Sequence, residues 1–135
     1  MVKVGIVGTG IGGTHANGYS KCPDAEIAAI CDIDQERCGK LCEKYNVKKF
    51  YTDYKEMLAD DEIDAISVCT PNSLHAPFTI DALKAGKHVL CEKPMATNAA
   101  DARKMVDVAK ETGKILMMAF NNRFRGDTQL LKKKN

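Results

Sequence analysis

The 135-residue chain is one domain's worth of sequence, and its 44% hydrophobic residues are enough for a single core. Most of its formal net charge of +2, from 20 basic and 18 acidic residues, is assigned to the terminal LLKKKN, and it gives no sign of a nucleic-acid-binding face. No charged and apolar leader opens the chain and no apolar run approaches the roughly 18 to 20 residues that span a bilayer, so a cytoplasmic protein without membrane contact is expected.

The first expected strand covers 2–8 (VKVGIVG) and runs into the glycine-rich GTGIGGTHANGY, where a helix is expected over 12–21. A strand over 26–32 (EIAAICD) ends on Asp32, and a helix over 34–45 follows. A small strand at KKFYT and a short helix over 53–59, capped by Asp53, come next. Strand 65–70 (AISVCT), helix 74–85 followed by Gly86, strand 88–92 (HVLCE), helix 98–112 between an Asn98 cap and Gly113, and strand 114–120 (KILMMAF) complete the order. The strands are rich in Val, Ile and Leu without clean alternation, the pattern of a parallel sheet buried on both faces. Repeated βα units imply an α/β fold with a doubly wound parallel sheet, the three-layer αβα Rossmann architecture, and right-handed crossovers. Cys31, Cys69 and Cys91 fall in these buried strands and read as core thiols of a reducing compartment. Cys38 and Cys42 share a helix face, but no CxxC or nearby His pair completes a zinc set, so no metal is expected.

Ligands of such sheets bind outside the carboxyl ends of the strands, and those ends are rich in chemistry here. Gly8, Gly10 and Gly13 fit G-x-G-x-x-G directly after a strand, where bare N–H groups and a helix dipole suit a pyrophosphate. Asp32 lies 19 residues beyond Gly13, the offset at which a carboxylate reaches the adenosine ribose hydroxyls. A carboxylate there repels a 2′-phosphate and Ile33 adds no positive charge, so NAD is favoured over NADP, although Arg37 could swing toward a phosphate. The plain alternative is a tight glycine turn with Asp32 capping the next helix.

The stretch CTPNSLHAPFTIDALKAGKHVLCEKPMA, together with the glycine loop, Asp32 and NNRF, closely resembles the glucose-fructose oxidoreductase, inositol dehydrogenase and rhizopine-catabolism (Gfo/Idh/MocA) family of NAD(P)-dependent oxidoreductases, over essentially the whole chain. The resemblance implies that Thr70 and Pro71 lie beside the dinucleotide where it crosses the strand ends, with Asn72 and His75 near its nicotinamide half. It implies that Glu92 contacts the ribose on that side, that Lys93 stands by the substrate carbon exchanging hydride, and that Arg123 helps hold the nicotinamide end, with Asn121 or Asn122 nearby. Family members often carry His three residues after the third glycine, whereas His15 is two after Gly13. Either Gly12 or Gly13 is then the third glycine, and the phosphate contacts across Gly10, Ile11, Gly12 and Gly13 are open by one position.

The resemblance further implies a C-terminal α/β domain of about 200 residues that covers the nicotinamide and grips a small-molecule substrate, in an enzyme that is a homo-oligomer when full length. On that reading residues 1–120 are the dinucleotide-binding domain and 121–135 begin the connection to an absent domain, which makes the chain a truncated enzyme. The expected function is hydride transfer on a sugar, polyol or related hydroxy compound; the alternative is a stand-alone NAD-binding or sensing module.

Lys93 discriminates the two. Oxidising an alcohol removes a hydride from carbon and a proton from oxygen, and a lysine mounted on a rigid strand end beside the nicotinamide could share that proton. A plain surface ion pair between Glu92 and Lys93 is the competing reading. His75 reads either as a solvated residue at a helix start or as a cofactor neighbour, and His15 and His88 read as packing or surface residues.

Overall fold

Val2–Val7 (β1), Ala25–Cys31 (β2), Phe50–Tyr51 (β3), Ala65–Val68 (β4), His88–Glu92 (β5) and Leu116–Ala119 (β6) form one sheet in the order β3-β2-β1-β4-β5-β6, with every pair parallel. That order reverses direction between β1 and β4, which opens a crevice at their carboxyl ends. The coordinates are a computed structural model and describe residues 1–94 and 96–119.

Between the strands run helices Gly12–Ser20 (α1), Gln35–Tyr45 (α2), Tyr54–Leu58 (α3), His75–Lys84 (α4) and Ala99–Thr112 (α5). None of the described helices is long and apolar enough to cross a membrane.

Adjacent buried residues in one strand serve opposite faces, which is why the strands lack alternation. Ile6 and Ile30 pack with Ala16, Cys38, Cys42 and Cys69 beneath α1 and α2. Their neighbours Val7 and Cys31 join the larger cluster of Met57, Ile66, Leu83, Val89 and Met105 beneath α3, α4 and α5. Each such aliphatic side chain, fully buried, contributes about 1.5–3 kcal/mol.

Helix ends follow the local chemistry. Asp53 and Asn98 cap α3 and α5, accepting from the N–H of Lys55 and Asp101. Gly113 closes α5 in the left-handed conformation at φ 70°. After α4 the left-handed residue is Gly86, one position beyond the cap Ala85.

Three expectations shift. Helix α2 is capped by Asp34, whose side chain accepts from Arg37 N–H, so Asp32 is not its cap. The strand expected over 65–70 ends at Val68: the Cys69 N–H still reaches the Val7 carbonyl at 2.8 Å, after which the chain turns at Pro71 into a single 3-10 turn, Asn72–Leu74, ahead of α4. The last strand begins at Leu116, and its expected end at Phe120 lies outside the described residues, as does the proposed connection 121–135.

All six cysteines are free and only Cys22 is exposed. Burial pushes the thiols of Cys31 and Cys38 up to about 12 and that of Cys91 up to about 11, which leaves them as inert core residues. Lys87 is a buried cation between α4 and β5, its Nζ donating to the carbonyls of Asp60 and Ile63 at 2.8 Å each.

Candidate functional site

The crevice begins at Gly8, whose φ of 97° is strained for any side chain and whose position would drive a Cβ into the Cys69 carbonyl. Its N–H bonds the Cys31 carbonyl at 2.9 Å, which fixes the loop across β1, β2 and β4. At Gly12 an added Cβ would lie 3.0 Å from Ile6 Cγ2, whereas at Gly13 it would meet only Leu41 Cδ1 at 3.9 Å. The close approach of helix to strand that the third fingerprint glycine serves therefore occurs at Gly12.

Gly13, Thr14 and His15 return their N–H groups to the carbonyls of Gly10 and Ile11, while those of Gly10, Ile11 and Gly12 find no carbonyl among the described residues. Open N–H groups at the start of a nine-residue helix can hold an anion.

Asp32 sits beside this loop. Its Oδ2 accepts from the Thr9 N–H at 2.9 Å and the Thr9 hydroxyl at 2.6 Å, and Oδ1 accepts from the Asp34 N–H at 2.9 Å. Burial alone would raise its pKa, but these hydrogen bonds, helped by the Arg37 charge, outweigh burial and hold the carboxyl below its ordinary value. An ionised carboxylate offers about four acceptor positions, so one remains for a ribose hydroxyl. Next to it Thr9, Arg37, Lys40, Leu41 and Lys44 line a depression of about 220 Å³. A second, of about 620 Å³, runs past Gly10, Gly13, Thr14, Asn17, Lys44 and Tyr45.

On the other side of the crevice the ends of β4 and β5 meet. Thr70 Oγ1 is buried and has no hydrogen-bond partner among the described residues, an acceptor and donor left for a ligand. Pro71 and Asn72 are exposed on the turn that follows.

His75 is neither solvated nor facing open space. It is 1% exposed, with Nδ1 2.6 Å from the Pro94 carbonyl and Nε2 2.8 Å from the Thr70 carbonyl. Its ring joins the two strand-end loops from beneath. Expected on a helix start, it is buried because the turn after β5 folds over it.

Glu92 is nearly buried and its Oε1 lies 2.5 Å from His15 Nε2, so it is His15, not Lys93, that engages the carboxylate. Lys93 is exposed, makes no ion pair among the described residues, and precedes Pro94 through a cis peptide bond. Arg123, Asn121 and Asn122 lie outside the described residues.

Sequence reasoning missed Thr9 and His15. Thr9 carries no signal beyond standing inside the glycine loop, whereas the spacing of His15 from that loop is a signal that a reading as a packing or surface residue passes over. The open N–H groups, the unfilled acceptor on Asp32 and the buried, orphaned Thr70 hydroxyl all lie near the carboxyl ends of β1, β2 and β4, where a dinucleotide would need polar partners.

The comparisons agree with this geometry. Residues 2–120 match the model of the GFO_IDH_MocA oxidoreductase family, NAD-binding Rossmann fold. The chain is 37% identical over 97% of its length to the myo-inositol 2-dehydrogenase of Thermotoga maritima and 40% identical over 97% to the D-glucoside 3-dehydrogenase of Escherichia coli. It spans 40% and 38% of those two relatives' own lengths. It is also 34% identical over 98% of its length to an NADP(+)-dependent scyllo-inositol 2-dehydrogenase of Bacillus subtilis, of which it covers 41%. A solved NAD binding oxidoreductase from Klebsiella pneumoniae superposes with a TM-score of 0.88 at 33% identity, over 98% of this chain and 38% of that one. These strand ends thus belong to a chain similar in sequence to an inositol and a glucoside dehydrogenase, and the chain belongs to the Gfo/Idh/MocA oxidoreductase family as its NAD-binding Rossmann part.

Proposed function

We propose that this chain is the cofactor-binding part of a dehydrogenase that acts on a sugar, polyol or related hydroxy compound, with NAD preferred over NADP. The observation that carries the reading is the open glycine-loop helix beside the ionised Asp32 carboxylate at the strand ends of a doubly wound sheet, with Lys93 immediately following the end of β5 in the same sheet. Gly8 shapes the loop, the N–H groups of Gly10, Ile11 and Gly12 take the pyrophosphate, Gly13 leaves room for it without a side chain, and Asp32 takes the adenosine ribose. Thr70 and Pro71 flank the cofactor at the switch point, Asn72 and Glu92 serve its nicotinamide half, and His75 holds the loops that carry them. Arg123 would add to that end. When bound, the nicotinamide supplies the hydride acceptor or donor. Lys93 would take the hydroxyl proton of the substrate at a neutral Nζ and return it in the reverse direction, which requires that a covered site and the bound positive nicotinamide favour the neutral amine.

The NAD preference rests on the Asp32 carboxylate, which stays ionised and would repel a 2′-phosphate; the basic residues Arg37, Lys40 and Lys44 beside Thr9 set the opposing pull. Calorimetric titration of the chain with NAD and with NADP tests both points. NAD heat at millimolar ligand with weaker NADP heat is expected, and Asp32→Ala should narrow the difference. No NAD heat at all would sink the reading, and a clear NADP preference would sink the cofactor assignment.

A further inference from the structure

We propose that His15 is a positioning residue for the nicotinamide side of the crevice, acting through Glu92; the inference rests on the reading of this crevice as a dinucleotide site. His15 lies in the first turn of α1, the helix whose leading N–H groups are open, and Glu92 ends β5 immediately before Lys93. Their side chains are 7% and 12% exposed and meet at 2.5 Å across 77 residues of sequence. A carboxylate held by one oxygen at that distance has lost its freedom to rotate, so its direction is set from the opposite wall of the crevice.

Helix α1 has little apolar anchoring, since only Gly12 and Ala16 are buried on it. Instead His15 and Tyr19, one turn apart, share its inner face, with ring centroids 6.4 Å apart in an edge arrangement. The Tyr19 hydroxyl reaches Ser67 Oγ on β4 at 2.5 Å. The helix is therefore tied by polar contacts to β4 and β5, a span from its open N–H groups to the strand end that carries Lys93. A buried polar pair of this kind is a weak way to stabilise a helix, because desolvation offsets much of the attraction. It does fix a carboxylate in one orientation, and that is the use the geometry supports.

The test measures the affinity of the 135-residue chain for NADH, which would reach both ends of the crevice, and for ADP, which would reach only the glycine loop and Asp32. Calorimetry is run on the wild type and on His15→Ala, His15→Gln and His15→Leu. His15→Ala should weaken NADH about tenfold and leave ADP within about twofold. His15→Gln, which keeps a donor near the place of Nε2, should recover most of the loss. An equal loss for both ligands would make His15 a helix anchor only, and an unchanged NADH affinity would remove its role; either overturns the proposal. Should His15→Ala lack a cooperative melt, His15→Leu, which fills the same space without a donor, carries the same comparison, with the same selective loss required. A wild-type chain that binds neither ligand would instead bring down the dinucleotide reading, an outcome separate from the other two.

Discussion

Three donors converge on the Asp32 carboxylate: the N–H and hydroxyl of Thr9 and the N–H of Asp34. Burial opposes ionisation there, the hydrogen bonds and Arg37 outweigh it, and the folded pKa is lowered. A carboxylate lowered in this way stabilises the fold above the unfolded value of about 3.9 and loses that contribution as pH falls through the folded value. Asp32→Asn should therefore flatten the loss of stability below about pH 4, which urea midpoints across the acid range would show as converging curves for variant and wild type. Superimposable pH profiles would count against the Thr9 and Asp34 bonds. The two adjacent glycines make a sharper pair of expectations. Gly12→Ala places a Cβ 3.0 Å from Ile6 Cγ2 in a packed interface and should cost about 1–3 kcal/mol. Gly13→Ala meets only ordinary contact with Leu41, and in a helix it should gain up to about 1 kcal/mol. Thermal melts of the two variants should move in opposite directions. The sequence pattern alone left these glycines interchangeable, because what separates them is the distance to a side chain on β1.

At the scale of elements, the parts visible in sequence are those whose cause is local. Helix α5 was legible at both ends because Asn98 supplies an acceptor for the Asp101 N–H and Gly113 adopts the left-handed conformation. Asn98→Ala should accordingly cost about 1 kcal/mol, seen as a lower urea midpoint at unchanged slope. What was not legible depends on contacts between distant segments. His15 and Glu92 are brought together by the crossover that sets β1 beside β4, and no spacing rule encodes that meeting. His75 is buried by a turn that arrives 19 residues later, and its local pattern resembled any helix start. Lys87 is the plainest case, since a lysine beside a glycine reads as surface, yet its ammonium ties the loop before β4 to β5 through two carbonyls. Lys87→Met keeps the aliphatic length and strands both carbonyls, so it should destabilise the chain by about 1–3 kcal/mol. A Lys87→Met melt equal to wild type would mean water satisfies those carbonyls instead.

At the scale of the whole molecule, the two sides of the crevice are built unevenly. The residues that could bind the adenosine half, from Gly8 to Asp32, are held by β1, β2 and α1 and all lie within the described residues. Lys93 on the far side is exposed, and neither depression beside the glycine loop is lined by it. Orientation of the substrate and exclusion of water supply large factors in hydride transfer, and both require walls around the reacting atoms. The chain spans about 40% of the length of the curated relatives it matches, so those walls are expected from the portion of the relatives that it does not cover. Binding and turnover should then separate. The 135-residue chain is expected to bind NAD and to give no detectable NAD reduction with polyols or sugars, followed by absorbance at 340 nm. A protein that carries this chain together with the remaining length of a family member should reduce NAD, and Lys93→Met in it should lose most activity while its NAD affinity holds within about threefold. Turnover by the 135-residue chain at ordinary enzyme rates, on the order of 1 to 10³ per second, would show that the described strand ends already enclose a competent site. Full activity in the longer Lys93→Met protein would leave Lys93 an exposed strand-end residue and transfer the proton to another group. The separation follows from the fold: a doubly wound sheet builds a floor from its strand ends, and Lys93 stands on that floor with nothing above it among the described residues to hold a substrate in place.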